Sequence, residues 1–195
     1  MDARQVRTRE MLAASIVELA RTRPLSDISV TDVARHAGIS RPTFYAHAES
    51  PGDLLAAVLG VQLETLRAEL DAGEAVPRGA WVEAFQRTMV DHVYRNKAIY
   101  RPNLRQRLPH QLRDALIDHI ERGLLEHLVQ NPDIAPTEAV ADNEFRYREA
   151  SLYAAIAASG TVAALETWLR APDPIHPEWA VHAILRGIAE WWTTN

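Results

Sequence analysis

Two serine helix starts stand only eleven residues apart, at Ser29 and Ser40, with Gly38 between them. That spacing admits one short helix, one turn and the start of a second helix. Ser29-Val-Thr-Asp32 reads as a capping box, in which the serine hydroxyl accepts from the third helical N–H and the aspartate reaches back. The helix it starts turns Val30, Val33, Ala34 and Ala37 to one side. Gly38 stops it, because glycine enters left-handed backbone at least cost. Ser40 then caps the next helix, and Pro42 falls in its first turn, where a missing N–H loses no helical bond. Two short helices joined through such a turn cross roughly at right angles, the helix-turn-helix arrangement.

The second helix of such a pair can enter the major groove with its first residues toward the base edges. Here those residues are Arg41, Pro42, Thr43 and Tyr45, with His47 one turn on. Arginine can bond bidentately to guanine, and proline can pack on a thymine methyl. Thr43, Tyr45 and His47 carry donors suited to phosphate oxygens. The helix starts at Ser29, Ser40 and Ser50 add backbone N–H groups for the same anions. Ile39 and Phe44 are the expected apolar pins of the small core.

Elsewhere the chain reads as helix punctuated by prolines, without strand alternation or a hairpin turn signal. A first helix, about Arg4 to Thr22, sets Leu12, Ile16, Leu19 and Ala20 on one stripe. Ser50-Pro-Gly-Asp53 repeats the capping logic and opens a fourth helix to about Leu70. The stretch Asp71 to Gly79 breaks the pattern. Further helices are expected at about Ala80–Arg95, Lys97–Arg105, Pro109–Gln130, Pro136–Arg170 (interrupted near its start) and Pro177–Thr193. The fold class is therefore all-α with about nine helices. Residues 1–50 form a three-helix reading head, joined through the helix at about 51–70 to a larger domain within 51–195.

Charge and composition set limits on this reading. The chain carries −5 overall, but residues 1–50 hold seven arginines against six acids, and the acidic excess lies behind them. Only a local patch has to face phosphate. The absence of cysteine excludes disulfides, zinc-thiolate sites and thiol catalysis. No apolar run reaches the roughly 18 residues of a membrane span, and the charged N-terminus lacks the apolar region of a secretory signal. A cytoplasmic protein without membrane contact is expected.

At this point the stretch from Ile28 through Leu55, ISVTDVARHAGISRPTFYAHAESPGDLL, resembles the signature of the tetracycline-repressor (TetR) family of bacterial regulators. The segment Ala158–Leu169 is similar to the penultimate helix of many members. The resemblance implies DNA contacts at Thr31, Arg41, Pro42, Thr43, Tyr45 and His47. It also implies a fourth helix that links the reading head to a ligand pocket, and a homodimer closed by the last two helices of each chain. It further implies a palindromic operator on double-stranded DNA, released when a small-molecule effector tilts or separates the two heads. Two positions depart from the family pattern. Ala48 stands where an aromatic is usual, and Pro51 replaces a lysine that touches phosphate.

The rear domain has less to say. Trp81, Phe85, Met89, His92, Tyr100, Tyr147, Tyr153 and Trp168 could line a mostly apolar effector pocket, although aromatics at helical spacing are usually core. Ala154, Ala155, Ala158, Gly160, Ala163 and Ala164 offer small faces for close helix approach. Trp179, Ile184, Leu185, Ile188 and Trp192 exceed what one buried face needs, which favours a four-helix dimer interface. The nucleophile-elbow, P-loop, dinucleotide, zincin and di-iron motifs are all missing. No enzyme, cofactor or metal is therefore expected. His110, Asp114 and Asp118 share a helix face, a pattern that is far more often solvated than metal-binding. The competing readings are a small-molecule-binding helical protein with degenerate DNA binding and a metal-dependent helical enzyme.

Overall fold

The computed structural model describes residues 3–72, 76–136 and 143–193, and within them every regular element is helical. The α-helices are α1 (Ala3–Thr22), α2 (Val30–His36), α3 (Arg41–Tyr45), α4 (Pro51–Ala72) and α5 (Arg78–Arg95). They continue with α6 (Lys97–Asn103), α7 (His110–Gln130), α8 (Asn143–Leu169) and α9 (Pro177–Gly187). Single 3₁₀ turns follow α1 at Leu25–Asp27 and α9 at Glu190–Trp192.

The helices gather into two compact units, the chain through Gln62 with Arg95–Ala115, and Leu63–Tyr94 with Leu116 onward. The N-terminal unit therefore takes in α6 and the start of α7 as well as the reading head. Leu12, Ile16 and Ala20 of α1, Val33 and Ala34 of α2, and Phe44 of α3 are buried, and α1 packs on both α2 and α6. Leu19 lies at the edge of this core, half-buried.

The turn that fixes α2 against α3 is closed entirely by backbone. Ile39 N–H donates to Ala34 carbonyl at 2.9 Å and Gly38 N–H to Arg35 carbonyl at 3.2 Å, the paired bonds of a Schellman motif. Gly38 sits at φ +66°, and a Cβ there would touch nothing within 4 Å. The requirement for glycine is thus one of backbone alone. Gly38→Ala is expected to lower stability by about 1 kcal/mol in chemical denaturation, because an L-residue is strained in left-handed backbone. An unchanged midpoint would mean that the turn rearranges.

Among the helix ends that differ from the sequence pattern, three bear on the packing. Helix α6 stops at Asn103 instead of Arg105, because Asn103 turns inward. Its Oδ1 accepts Leu25 N–H at 2.6 Å, and its Nδ2 donates to Ile99 carbonyl at 2.7 Å. Pro136 lies in coil and α8 is helical from Asn143, while 137–142 lie outside the described residues. Helix α9 stops at Gly187 instead of running to Thr193. Ile188 and Ala189 take extended backbone, and the chain doubles back so that Trp192 is buried. Trp191 meets Tyr153 edge-on at 5.1 Å and Trp192 face-on at 4.5 Å.

In the C-terminal unit, α8 and α9 pack together, and α8 contributes Ala154, Ala158, Val162 and Leu165 to the core. An 18-residue window of α8 reaches a mean hydropathy of 1.3, so by length and composition this helix could cross a membrane. Half of that window is buried inside the chain, as in the core helix of a folded unit.

Candidate nucleic-acid interface

Local chemistry positions the reading residues from inside. Ser29 Oγ accepts Asp32 N–H at 3.1 Å while Ser29 N–H donates to the Asp32 carboxylate at 3.0 Å, so the capping box is complete. Hydrogen bonds from the Ser29 hydroxyl and N–H hold the Asp32 carboxyl below its usual range, and the neighbouring Arg23 and Arg35 add to this. At α3, Ser40 Oγ accepts Thr43 N–H at 3.2 Å and lies 2.8 Å from Thr43 Oγ1. Ser50 starts α4 in the same way, accepting Asp53 N–H at 3.2 Å. The three serines therefore serve as caps.

Phe44 is fully buried and Ile39 half-buried, so α3 is pinned by its inner side. Tyr45 stands 53% exposed, edge-on to Phe44 at 5.7 Å. Arg41 and Pro42 are exposed at the start of α3, and Arg41 has no ion-pair partner among the described residues. Thr31 is exposed on the first turn of α2, while Thr43, His47 and Ala48 are half-buried. Of the eight residues singled out from the sequence, Ser29, Thr31, Ser40, Arg41, Pro42 and Tyr45 are thus exposed. Pro51 occupies the first helical position of α4, where its ring costs no hydrogen bond.

The eight residues expected at an effector pocket are divided between the two units. Trp81, Phe85, Met89 and His92 lie on α5 in the C-terminal unit, the last three buried. Tyr100 belongs to the N-terminal unit, where complete burial raises the pKa of its hydroxyl. Tyr147 is 55% exposed, Tyr153 faces Trp191, and Trp168 faces Tyr94 at 6.2 Å.

A second group, on α7, joins α5 instead. Trp81 stacks on Phe85 at 4.9 Å and on His127 at 4.3 Å, both within 9° of parallel, and Phe85 lies 6.0 Å from His119. Gly123, midway between the two histidines, makes room for the Phe85 ring, since a Cβ there would come within 2.7 Å of Phe85 Cζ. The i, i+4, i+8 spacing of His119, Gly123 and His127 was the available sequence signal for this face.

His119 is 3% exposed, and burial pushes its pKa down although Glu64 opposes the shift. Burial works against the Glu64 carboxylate too, but the His119 bond and the Arg67 and Arg122 guanidiniums keep its pKa low. An ionised Glu64 can only accept, so His119 Nδ1 donates to it at 3.2 Å. The bare lone pair of Nε2 is then left buried without a partner. Arg122 donates to Glu64 at 2.6 Å, and Arg67 bonds both Glu64 and Glu126. Gln86 is fully buried with both amide atoms unpartnered, as is Thr161 Oγ1.

On α8 the small residues divide between two faces. Ala154 and Ala158 are buried within the unit, Ala155 and Ala164 half-buried, and Gly160 and Ala163 exposed. The outer face also carries Leu152 and Ile156, 64% and 71% exposed, and α9 adds Trp179 at 62%. Ile156 and Gly160 border a groove of about 310 Å³ that Gly187, Ile188 and Trp191 close. His110, Asp114 and Asp118 are exposed, and no metal-holding cluster occurs among the described residues.

Comparison with known proteins bears on the same regions. Residues 12–58 match the model of the bacterial regulatory proteins, tetR family. The HTH-type transcriptional regulator EthR of Mycobacterium tuberculosis is 48% identical over 48 residues, which is 25% of this chain and 22% of that protein. The matched segment thus spans about a fifth of the length of the curated relatives. Over nearly the whole chain, the fold is shared with solved structures at low identity. Thermus thermophilus FadR in complex with lauroyl-CoA aligns with a TM-score of 0.67 at 18% identity, covering 91% of each chain. RolR in complex with resorcinol aligns at 0.64 and 17%, covering 100% of this chain and 97% of that one.

Proposed function

We propose that this chain, whose residues 12–58 match the model of the bacterial regulatory proteins of the tetR family, is a homodimeric, DNA-binding transcriptional repressor that a small molecule releases from a palindromic operator. In this reading residues 1–50 are the reading head, and 51–195 bind the effector and close the dimer. It is a cytoplasmic protein and performs no catalytic step. The observation that carries the reading is Arg41, exposed and uncommitted at the first turn of a helix that Ser40 caps and Phe44 anchors. Such an arginine is free to meet a guanine edge.

The test is anisotropy titration of DNA from the region beside its own gene against scrambled DNA of equal length. A preference of about 10³-fold or more marks specific binding. Arg41→Ala is expected to remove roughly 1–3 kcal/mol of it, about 5- to 150-fold, and to relax specificity at one base position. Weak, salt-dependent binding to every sequence tried would favour the degenerate-DNA reading.

An effector inside the C-terminal unit draws support from Gln86, His119 Nε2 and Thr161, since each buried polar group left unmatched costs about 1–3 kcal/mol. A ligand that supplies partners recovers that cost. The same fold is seen in complex with resorcinol in RolR and with lauroyl-CoA in FadR, so it admits ligands of very different size.

A further inference from the structure

The charge that the reading head lacks is supplied from another part of the chain. Residues 1–62 carry seven basic and seven acidic side chains, and so contribute nothing net. The segment 95–115, which clusters with them, carries Arg95, Lys97, Arg101, Arg105, Arg107 and Arg113 against the single acid Asp114. The N-terminal unit is therefore at +5, and the whole of that charge comes from outside the helix-turn-helix.

Within this segment Arg105 and Arg107 are exposed, and neither has an ion-pair or hydrogen-bond partner among the described residues. They flank a cleft of about 200 Å³ between α6 and α7, whose opposite wall includes Pro24 and Ser26. The loop is held there by the buried Asn103 side chain, which accepts the N–H of Leu25. Ser26 lies three residues before Ser29, so the cleft is within about 11 Å of chain from the start of α2. The nearest acid on that turn is Asp27, whose carboxylate accepts the Ser26 hydroxyl.

We infer that Arg105 and Arg107 bind the phosphate backbone of DNA beside the reading head. The inference rests on the DNA-binding reading and extends it to a loop outside residues 1–50. Double-stranded DNA carries a charge every ~3.4 Å of axis along each strand, so a backbone that meets α2 offers further phosphates to a neighbouring cationic loop. Such contacts add affinity without sequence information.

The experiment needs no known operator. Affinity for a random-sequence duplex and for the upstream duplex is measured from 50 to 200 mM salt, for wild type, Arg105→Ser/Arg107→Ser and Arg105→Lys/Arg107→Lys. Each phosphate contact contributes about 0.9 to the slope of log affinity against log salt. The serine variant is expected to lose about 1.8 of slope on both duplexes, so that over this salt range wild type loses roughly twelvefold more affinity than the variant. The ratio between the duplexes should stay fixed, and the lysine variant should restore the slope. An unchanged slope in the serine variant, while Arg41→Ala still lowers sequence preference, overturns the inference and leaves the regulator reading intact. A thermal shift with pyrophosphate that the serine variant loses, without any change in DNA slope, assigns the cleft to a small anion and also overturns it. Wild type that binds neither duplex overturns both readings.

Discussion

Phe44→Ala is expected to remove about 3–5 kcal/mol from the N-terminal unit, the usual cost of deleting a fully buried phenylalanine, and to abolish DNA binding. The ring is 0% exposed at the centre of a three-helix head that has few other large side chains in its core. With Ala48 as its neighbour one turn on, no bulky group stands ready to fill the space. The sequence also provides a way to see which part melts. All five tryptophans (81, 168, 179, 191 and 192) belong to the C-terminal unit, so their emission reports that unit alone. In a urea titration, helical circular dichroism should lose part of its amplitude at lower denaturant, while the tryptophan transition moves less. Coincident shifts in both signals would show that the two units unfold as one cooperative block.

The second large effect belongs to the outer face of α8. Ile156→Glu should convert a dimer into a monomer in light scattering, with a loss of about 2–4 kcal/mol of association energy, roughly thirty- to several-hundred-fold. Ile156 is 71% exposed, so the folded chain tolerates the charge. Only an apolar partner surface would be spoiled by it, because a desolvated carboxylate without a partner is costly. The neighbouring Leu152 and Gly160, one turn before and one after, form the stripe that a second helix would cover. Operator affinity should fall in parallel, since half-sites bound independently lose the gain of linkage. A wild-type chain that is monomeric at micromolar concentration, or a variant of unchanged mass, would remove this face from the interface.

What the sequence made legible follows the range of the interactions involved. The starts of α2, α3 and α4 were readable because a cap and its N–H groups lie within three residues, and Gly38 was readable because left-handed backbone is a local demand. The end of α9 was not, because Ile188 and Trp192 continue the helical spacing. What ends the helix is the return of Trp191 onto Tyr153, nearly forty residues earlier. Gly187 and Arg186 were the one local hint of a stop. The buried polar groups of the C-terminal unit escaped for a related reason. Glu64 and His119 are ordinary polar positions until α4 and α7 meet, and nothing near Gln86 in the sequence marks it as buried. The basic loop was visible as composition but had no address, because its place beside Leu25 depends on the Asn103 side chain 78 residues away.

The closed turn at Gly38 bears on how such a protein diverges. Helix α3 owes its place to a backbone motif, to the Ser40 cap and to Phe44, all on its concealed side or at its ends. Arg41 contributes little to holding it there, and Tyr45 adds only an edge-on contact to Phe44 from a half-exposed ring. A gene duplicate could therefore exchange both residues in successive generations and acquire a new target without ever passing through an unfolded ancestor. The division of labour between hidden anchors and free letters makes the recognition surface heritable as a blank slate.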